Sequence, residues 1–153
     1  MKQIGLGLMG LGNIGIGTWK TLEMNGETIK KNTGIDFKFV KILEKNVDAK
    51  RDIDVDKKLF TDDPQDLFAN DDIDIVIELL GGVEPAASFM LEALNHGKHV
   101  VTANKAAVAA NYDKLLESAE KNNVMFRYEA SVGGGIPILN PLLTVLRGNE
   151  IES

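Results

Sequence analysis

The sequence predicts an α/β domain built on a doubly wound, mostly parallel sheet, and three observations carry that reading. Short apolar runs at residues 4–9, 37–43, 73–80, 98–102 and 124–129 alternate with amphipathic stretches, as strands do when crossover helices join them. The run at 73–80 holds six large aliphatic residues in eight positions, which suits a strand covered on both faces. Glycines 10, 12 and 15 follow the first run directly and open the first amphipathic stretch.

Each element has a local justification. Residues 4–9 form the first strand. A helix is expected over 13–25, with Ile14, Thr18 and Leu22 toward the sheet, stopped by Asn25-Gly26 and followed by a polar loop over 27–36. Residues 37–43 read as the second strand, with Lys38 and Lys41 near an edge. The stretch 45–58, mixed in charge and poor in large apolar residues, reads as a solvated excursion. A short strand is expected at 59–61, and Asp63-Pro64 opens a short helix ending by Asn70. After the strand at 73–80 and Gly81-Gly82, Pro85 opens a helix that Gly97 ends. The strand at 98–102 leads to helical segments over 105–110 and 112–122, then to a strand at 124–129. A glycine-rich turn reaches 136, and Pro137 starts a helix to about 147. Met90 and Met125 read as core. Residues 1–147 are expected to be one domain, with 148–153 opening another, and Ile151 looks like the start of a strand.

Composition narrows the function. With 153 residues the chain has the length to bury one sizeable core. Its net charge of −6 and lack of a basic cluster argue against a nucleic-acid partner. With no cysteine there is no disulfide, iron–sulfur cluster or thiolate nucleophile in the chain, which suits a reducing cytoplasm. Met1 leads straight into a strand rather than a signal peptide, and no apolar run approaches the roughly 18 residues of a membrane span.

The chemistry starts at Gly10-Leu11-Gly12-Asn13-Ile14-Gly15. Between a strand and a helix, this G-x-G-x-x-G spacing is the Rossmann-type dinucleotide loop. Gly10 allows the tight turn, Gly12 lets a pyrophosphate lie on bare main chain, and Gly15 lets helix and strand pack closely. The helix start offers unpaired N–H groups to phosphate. Ligands in such sheets sit beyond the carboxyl ends of the strands. Gly81, Glu44-Lys45, Asn104-Lys105 and residues 129–135 all fall at strand ends and can converge there. Lys105 is a candidate to polarise a carbonyl oxygen or hold a carboxylate, against the plainer reading of a solvated helix-start lysine. Glu44 offers an acid for the ribose hydroxyls of NAD, and Lys45, with Lys57 or Lys58 as a candidate second cation, a partner for the 2′-phosphate of NADP. The pattern leans to NADP. Glu129 and the glycines after it offer hard oxygen ligands to a small cation, although a simple close-approach turn explains them as well. His96 and His99 lack a third ligand for zinc.

Four blocks together resemble homoserine dehydrogenase. They are the glycine loop at 7–15, the segments 74–85 and 97–105, and Glu129-Ala130-Ser131-Val132-Gly133-Gly134-Gly135-Ile136-Pro137. The resemblance implies NAD(P)-dependent interconversion of L-homoserine and L-aspartate 4-semialdehyde, small-molecule substrates of the route to threonine and methionine. It implies that Lys105 lies near nicotinamide and substrate, and that Lys45 stands where many members carry a phosphate-binding arginine. It also implies a sodium site made by Glu129 with main-chain oxygens of Val132, Gly134 and Ile136. The family's proton-transfer residues belong to a substrate domain outside this chain, so the chain alone is expected to be inactive and the full-length protein a homo-oligomer. The rival readings are another oxidoreductase on the same nucleotide fold and a non-catalytic NAD(P)-sensing module.

Overall fold

The computed structural model describes residues 2–150; the expected strand start at Ile151 lies outside them. Six parallel strands form one sheet in the order β3-β2-β1-β4-β5-β6. They are β1 (Lys2–Met9), β2 (Ile35–Leu43), β3 (Phe60–Thr61), β4 (Ile75–Glu78), β5 (His99–Thr102) and β6 (Phe126–Arg127). The helices are α1 (Asn13–Thr33), α2 (Gln65–Phe68), α3 (Ala86–Asn95), α4 (Lys105–Lys121) and α5 (Glu129–Val132). The strand order reverses between β1 and β4, so a crevice opens there beyond the carboxyl ends.

Alternation along the strands sends side chains to two apolar layers. Leu8, Ile42 and Ile77 meet Leu11 of the glycine loop and Trp19 of α1, and Trp19 stacks on Phe39 with ring centroids 4.8 Å apart. Met9, Leu43, Val76 and Val100 meet α2, α3 and α4 through residues such as Phe68, Met90, Leu94 and Leu115. The second layer runs under the sheet from β2 to β6. The first covers only its β3–β4 half, which leaves Val101 on β5 37% exposed. Cover on both faces, expected from the sequence, is therefore incomplete on the α1 side.

Several expected boundaries shift. Helix α1 does not stop at Asn25-Gly26; it continues to Thr33, and Gly34 supplies the left-handed cap at φ 74° with its N–H on the Lys30 carbonyl. Residues 27–36 are therefore helix and strand rather than loop. A glycine inside a helix costs about 1 kcal/mol, and here the partly buried stripe Trp19, Leu22, Gly26, Ile29 runs on through it. The buried face of α1 holds Gly15 and Trp19, while Ile14 is 60% exposed at the crevice. Lys38 and Lys41 do lie on an open flank, because β3 pairs only with Ile42 and Leu43.

The excursion at 45–58 has no strand or α-helix, yet it is not simply solvated: Ile53 and Val55 pack into the α1 layer and Arg51 folds inward. The two helical segments after Asn104 are one helix with a non-helical residue, Asn111, at the expected break. β4 and β6 are shorter than their apolar runs, and Met125 is 47% exposed because it precedes buried Phe126 at the sheet's uncovered edge. Met90 is core as expected. The helix expected from Pro137 to residue 147 is reduced to a wide single turn, Pro141–Val145.

Candidate dinucleotide site

The glycine loop has the geometry that its spacing predicts. Gly10 sits at φ 92°, and a Cβ there would lie 2.9 Å from the Leu79 carbonyl oxygen. At Gly15 a Cβ would lie 2.3 Å from the Gly10 carbonyl oxygen, so only glycine lets α1 start this close to β1. At Gly12 a Cβ would meet nothing within 4 Å. This glycine opens onto free space at the start of a 21-residue helix that carries no side-chain cap. A cradle of bare main chain with a helix N-terminus behind it fits a pyrophosphate.

Two hollows share Leu80 and Gly81. One, of about 370 Å³, is lined by residues 12–14, 79–81 and 103–104. The other, of about 300 Å³, lies over the end of β2 and includes Glu44, Lys45 and Gly81. Gly12, Asn13, Ile14, Lys45 and Gly81 thus line one crevice, while Gly10, Leu11 and Gly15 are buried beneath it. Lys105 is exposed at the first position of α4, directly after Asn104. A larger cavity of about 520 Å³ lies at the opposite strand ends, beside Gln3, Lys38 and Asp72. It is the wrong end of a parallel sheet for a ligand of this kind.

Two groups at the crevice were not singled out from the sequence. Arg51 donates from Nε to the Leu11 carbonyl at 3.1 Å and pairs through Nη2 with Glu44 at 3.1 Å. Its signal was slight: one arginine among the lysines and acids of a mixed-charge stretch. Glu78 ends β4 fully buried, and its carboxylate accepts from Thr102 Oγ1, Leu80 N–H and Asn104 Nδ2. Its signal was a charge at the end of an apolar run. Asn104 also accepts the Ala107 N–H through its side chain and so caps α4.

Residues 129–137 do not join this crevice. They line a separate shallow hollow that includes Glu129, Gly134 and Ile136 but not Val132. The Glu129 carboxylate accepts three main-chain N–H groups, from Ile138, Leu139 and Asn140, at 2.5, 2.7 and 2.9 Å. Partial burial pushes this carboxyl up, but the three N–H groups outweigh it and hold the group below the ordinary glutamate range. Beside it, burial and the Tyr112 hydroxyl at 2.9 Å push the Tyr128 phenol up to about 12. Among the described residues no three His, Asp or Glu side chains group as metal ligands, and no helix is long and apolar enough to cross a membrane.

Residues 10–129 match the sequence model of a family described as "Homoserine dehydrogenase, NAD binding domain". Homoserine dehydrogenase of Bacillus subtilis is 38% identical over 99% of this chain and 35% of its own length. The Synechocystis enzyme is 40% identical over 97% of this chain and 34% of its own. In the crystal structure of homoserine dehydrogenase from Thiobacillus denitrificans, a segment 40% identical superposes with a TM-score of 0.84, covering 99% of this chain and 35% of that one. The chain spans about a third of the length of the relatives it matches.

Proposed function

The chain belongs to the homoserine dehydrogenase family as its NAD-binding domain, and from that premise we propose that it binds the cofactor for NAD(P)-dependent interconversion of L-homoserine and L-aspartate 4-semialdehyde. The observation that carries this reading is the open space at Gly12, between a left-handed Gly10 and a tightly packed Gly15. There the N–H groups at the start of α1 hold the pyrophosphate, and Asn13 and Ile14 frame it, while Leu11 anchors the loop from below. The adenosine half lies over the end of β2, and the nicotinamide half lies beyond β4 and β5, against Gly81 and Asn104. The bound nicotinamide ring supplies the hydride acceptor or donor. Lys105, exposed at the start of α4, is the cation that meets a substrate oxygen or carboxylate. The remaining two-thirds of a family-length enzyme supply the proton-transfer groups and the contacts of a homo-oligomer in the cytoplasm.

The cofactor choice follows from Glu44. Its Oε2 already accepts Leu11 N–H and pairs with Arg51, and its Oε1 accepts Asn46 N–H. A carboxylate so engaged is poorly placed to accept both hydroxyls of an NAD ribose. Exposed Lys45, in the same hollow, is the partner for a 2′-phosphate, which favours NADP. A sodium ion held by Glu129 and the carbonyl oxygens of Val132, Gly134 and Ile136 is a separate proposal. It requires the carboxylate to share or release the three N–H groups it now accepts.

Titration of the chain with NADPH and NADH, read by energy transfer from Trp19, tests the reading. NADPH is expected to bind at least about tenfold tighter, the effect of one good charge-assisted contact. Tighter NADH binding would overturn the assignment of Lys45. Binding of neither, in protein that circular dichroism shows to be folded, would overturn the site.

A further inference from the structure

Glu78 is fully buried at the last position of β4, with no cation paired to it among the described residues. It stands in register with Thr102, the last residue of β5. Every hydrogen bond it makes runs inward. The Thr102 hydroxyl donates to Oε2 at 2.6 Å, while Leu80 N–H and Asn104 Nδ2 reach Oε1 at 2.8 and 3.4 Å. The donors are not free to reverse. A main-chain N–H only donates, and Glu78 Oε2 is the acceptor of the Thr102 hydroxyl proton, while the Thr102 oxygen itself accepts the Asn104 N–H at 2.9 Å. The Asn104 amide also donates to the Gly82 carbonyl at 2.7 Å, and its oxygen caps α4 through Ala107 N–H.

One buried carboxylate therefore ties together the two sides of the nicotinamide half of the crevice: residues 79–82 after β4, and residues 102–104 after β5. A buried charge is costly to desolvate and is weak evidence for stability. Its clear consequence here is geometric, since a network with every donor satisfied admits one arrangement of the two loops.

We propose that Glu78 is a positioning residue for cofactor binding, an acceptor-only hub that sets how Gly81-Gly82 and Asn104 face the nicotinamide. The inference rests on the cofactor reading above. Glutamine has the same shape but replaces one acceptor oxygen with an NH₂ donor. Whichever way that amide is turned, one of the surrounding donors loses its acceptor.

The test compares the wild-type chain with Glu78→Gln, Thr102→Val and Thr102→Ser by calorimetric titration. The two ligands are NADPH and 2′-phospho-ADP-ribose, which keeps the adenosine and pyrophosphate but lacks the nicotinamide. Glu78→Gln and Thr102→Val are expected to weaken NADPH about tenfold and to leave 2′-phospho-ADP-ribose within about twofold, since its principal contacts, at Gly12 and Lys45, lie outside the network. Thr102→Ser, which keeps the hydroxyl, is expected to restore wild-type NADPH binding. A general loss of structure would weaken both ligands together, and that result, or no change in either, would overturn the proposal. If Glu78→Gln does not fold, Thr102→Val against Thr102→Ser decides. Failure of the wild-type chain to bind either ligand overturns the cofactor reading itself, and this proposal with it.

Discussion

Glu44 accepts a hydrogen bond from the Leu11 N–H at 3.1 Å, although 33 residues separate them, and so ties the end of β2 to the middle of the glycine loop. Arg51 closes the ring by pairing with the same carboxylate oxygen and donating to the Leu11 carbonyl. Both main-chain polar groups of Leu11 are thus held by one ion pair, whose side chains are only 17% and 10% exposed. Removing one partner of a pair this buried leaves a charge uncompensated. Arg51→Ala is expected to lower stability by about 3 kcal/mol, measured by urea unfolding. A change of less than roughly 0.5 kcal/mol, the scale of an ordinary surface substitution, would show that the ring does not hold the loop.

The three loop glycines are expected to respond differently to alanine. Gly15→Ala forces a Cβ to within 2.3 Å of the Gly10 carbonyl, so it should lower stability by about 1–3 kcal/mol through overpacking. Gly12→Ala meets no atom within 4 Å and should leave the unfolding midpoint nearly unchanged while abolishing measurable NADPH binding. Thermal unfolding and titration on the same two samples separate these effects. A stable Gly12→Ala protein that binds normally would mean the pyrophosphate does not lie there.

The parts of the fold that rested on repeated local signals were legible in the sequence. Strand–helix alternation predicted the parallel sheet, and the spacing of Gly10, Gly12 and Gly15 placed the crevice. Failures came where tertiary packing overrode a local sign. Gly26 looked like a helix stop, but the stripe continuing to Ile29 carried α1 to Gly34. Arg51 looked like surface charge because nothing local says that a loop folds back onto a residue 40 positions earlier. Glu78 drew no reading of its own because its partners, Thr102 and Asn104, lie on the next strand and its loop. Both residues act through long-range polar contacts, which periodicity cannot register.

Lys105 gives a third prediction. Exposed at the start of α4, it should be replaceable by alanine with a stability change within about 0.5 kcal/mol. In the full-length enzyme the same substitution should lower kcat/KM for homoserine oxidation about a hundredfold, the scale of losing one preorganised charge at a reacting oxygen. Wild-type kcat/KM for both substrates would remove Lys105 from the chemistry.

The last prediction concerns acid and the segment after β6. Glu129 joins the turn after β6 to residues 138–140 by three main-chain N–H groups. Burial opposes its ionisation, yet those bonds win, and the folded carboxyl titrates below the ordinary value of 4.5. A group whose pKa is lowered on folding stabilises the native state above its unfolded pKa, and that contribution fades as pH falls through the folded one. Amide exchange at Ile138, Leu139 and Asn140 should therefore be slow near neutral pH, relative to an unfolded chain at the same pH. That protection should fall selectively as the solution is taken below about pH 4.5. Glu129→Gln keeps the shape but loses the charge, so it should lower protection of these three amides already at neutral pH and flatten its acid dependence. Equal pH profiles for wild type and Glu129→Gln would show that the carboxylate is not what holds this segment. If instead added sodium accelerated exchange at the same amides in wild type alone, the cation would be competing with the N–H groups for Glu129.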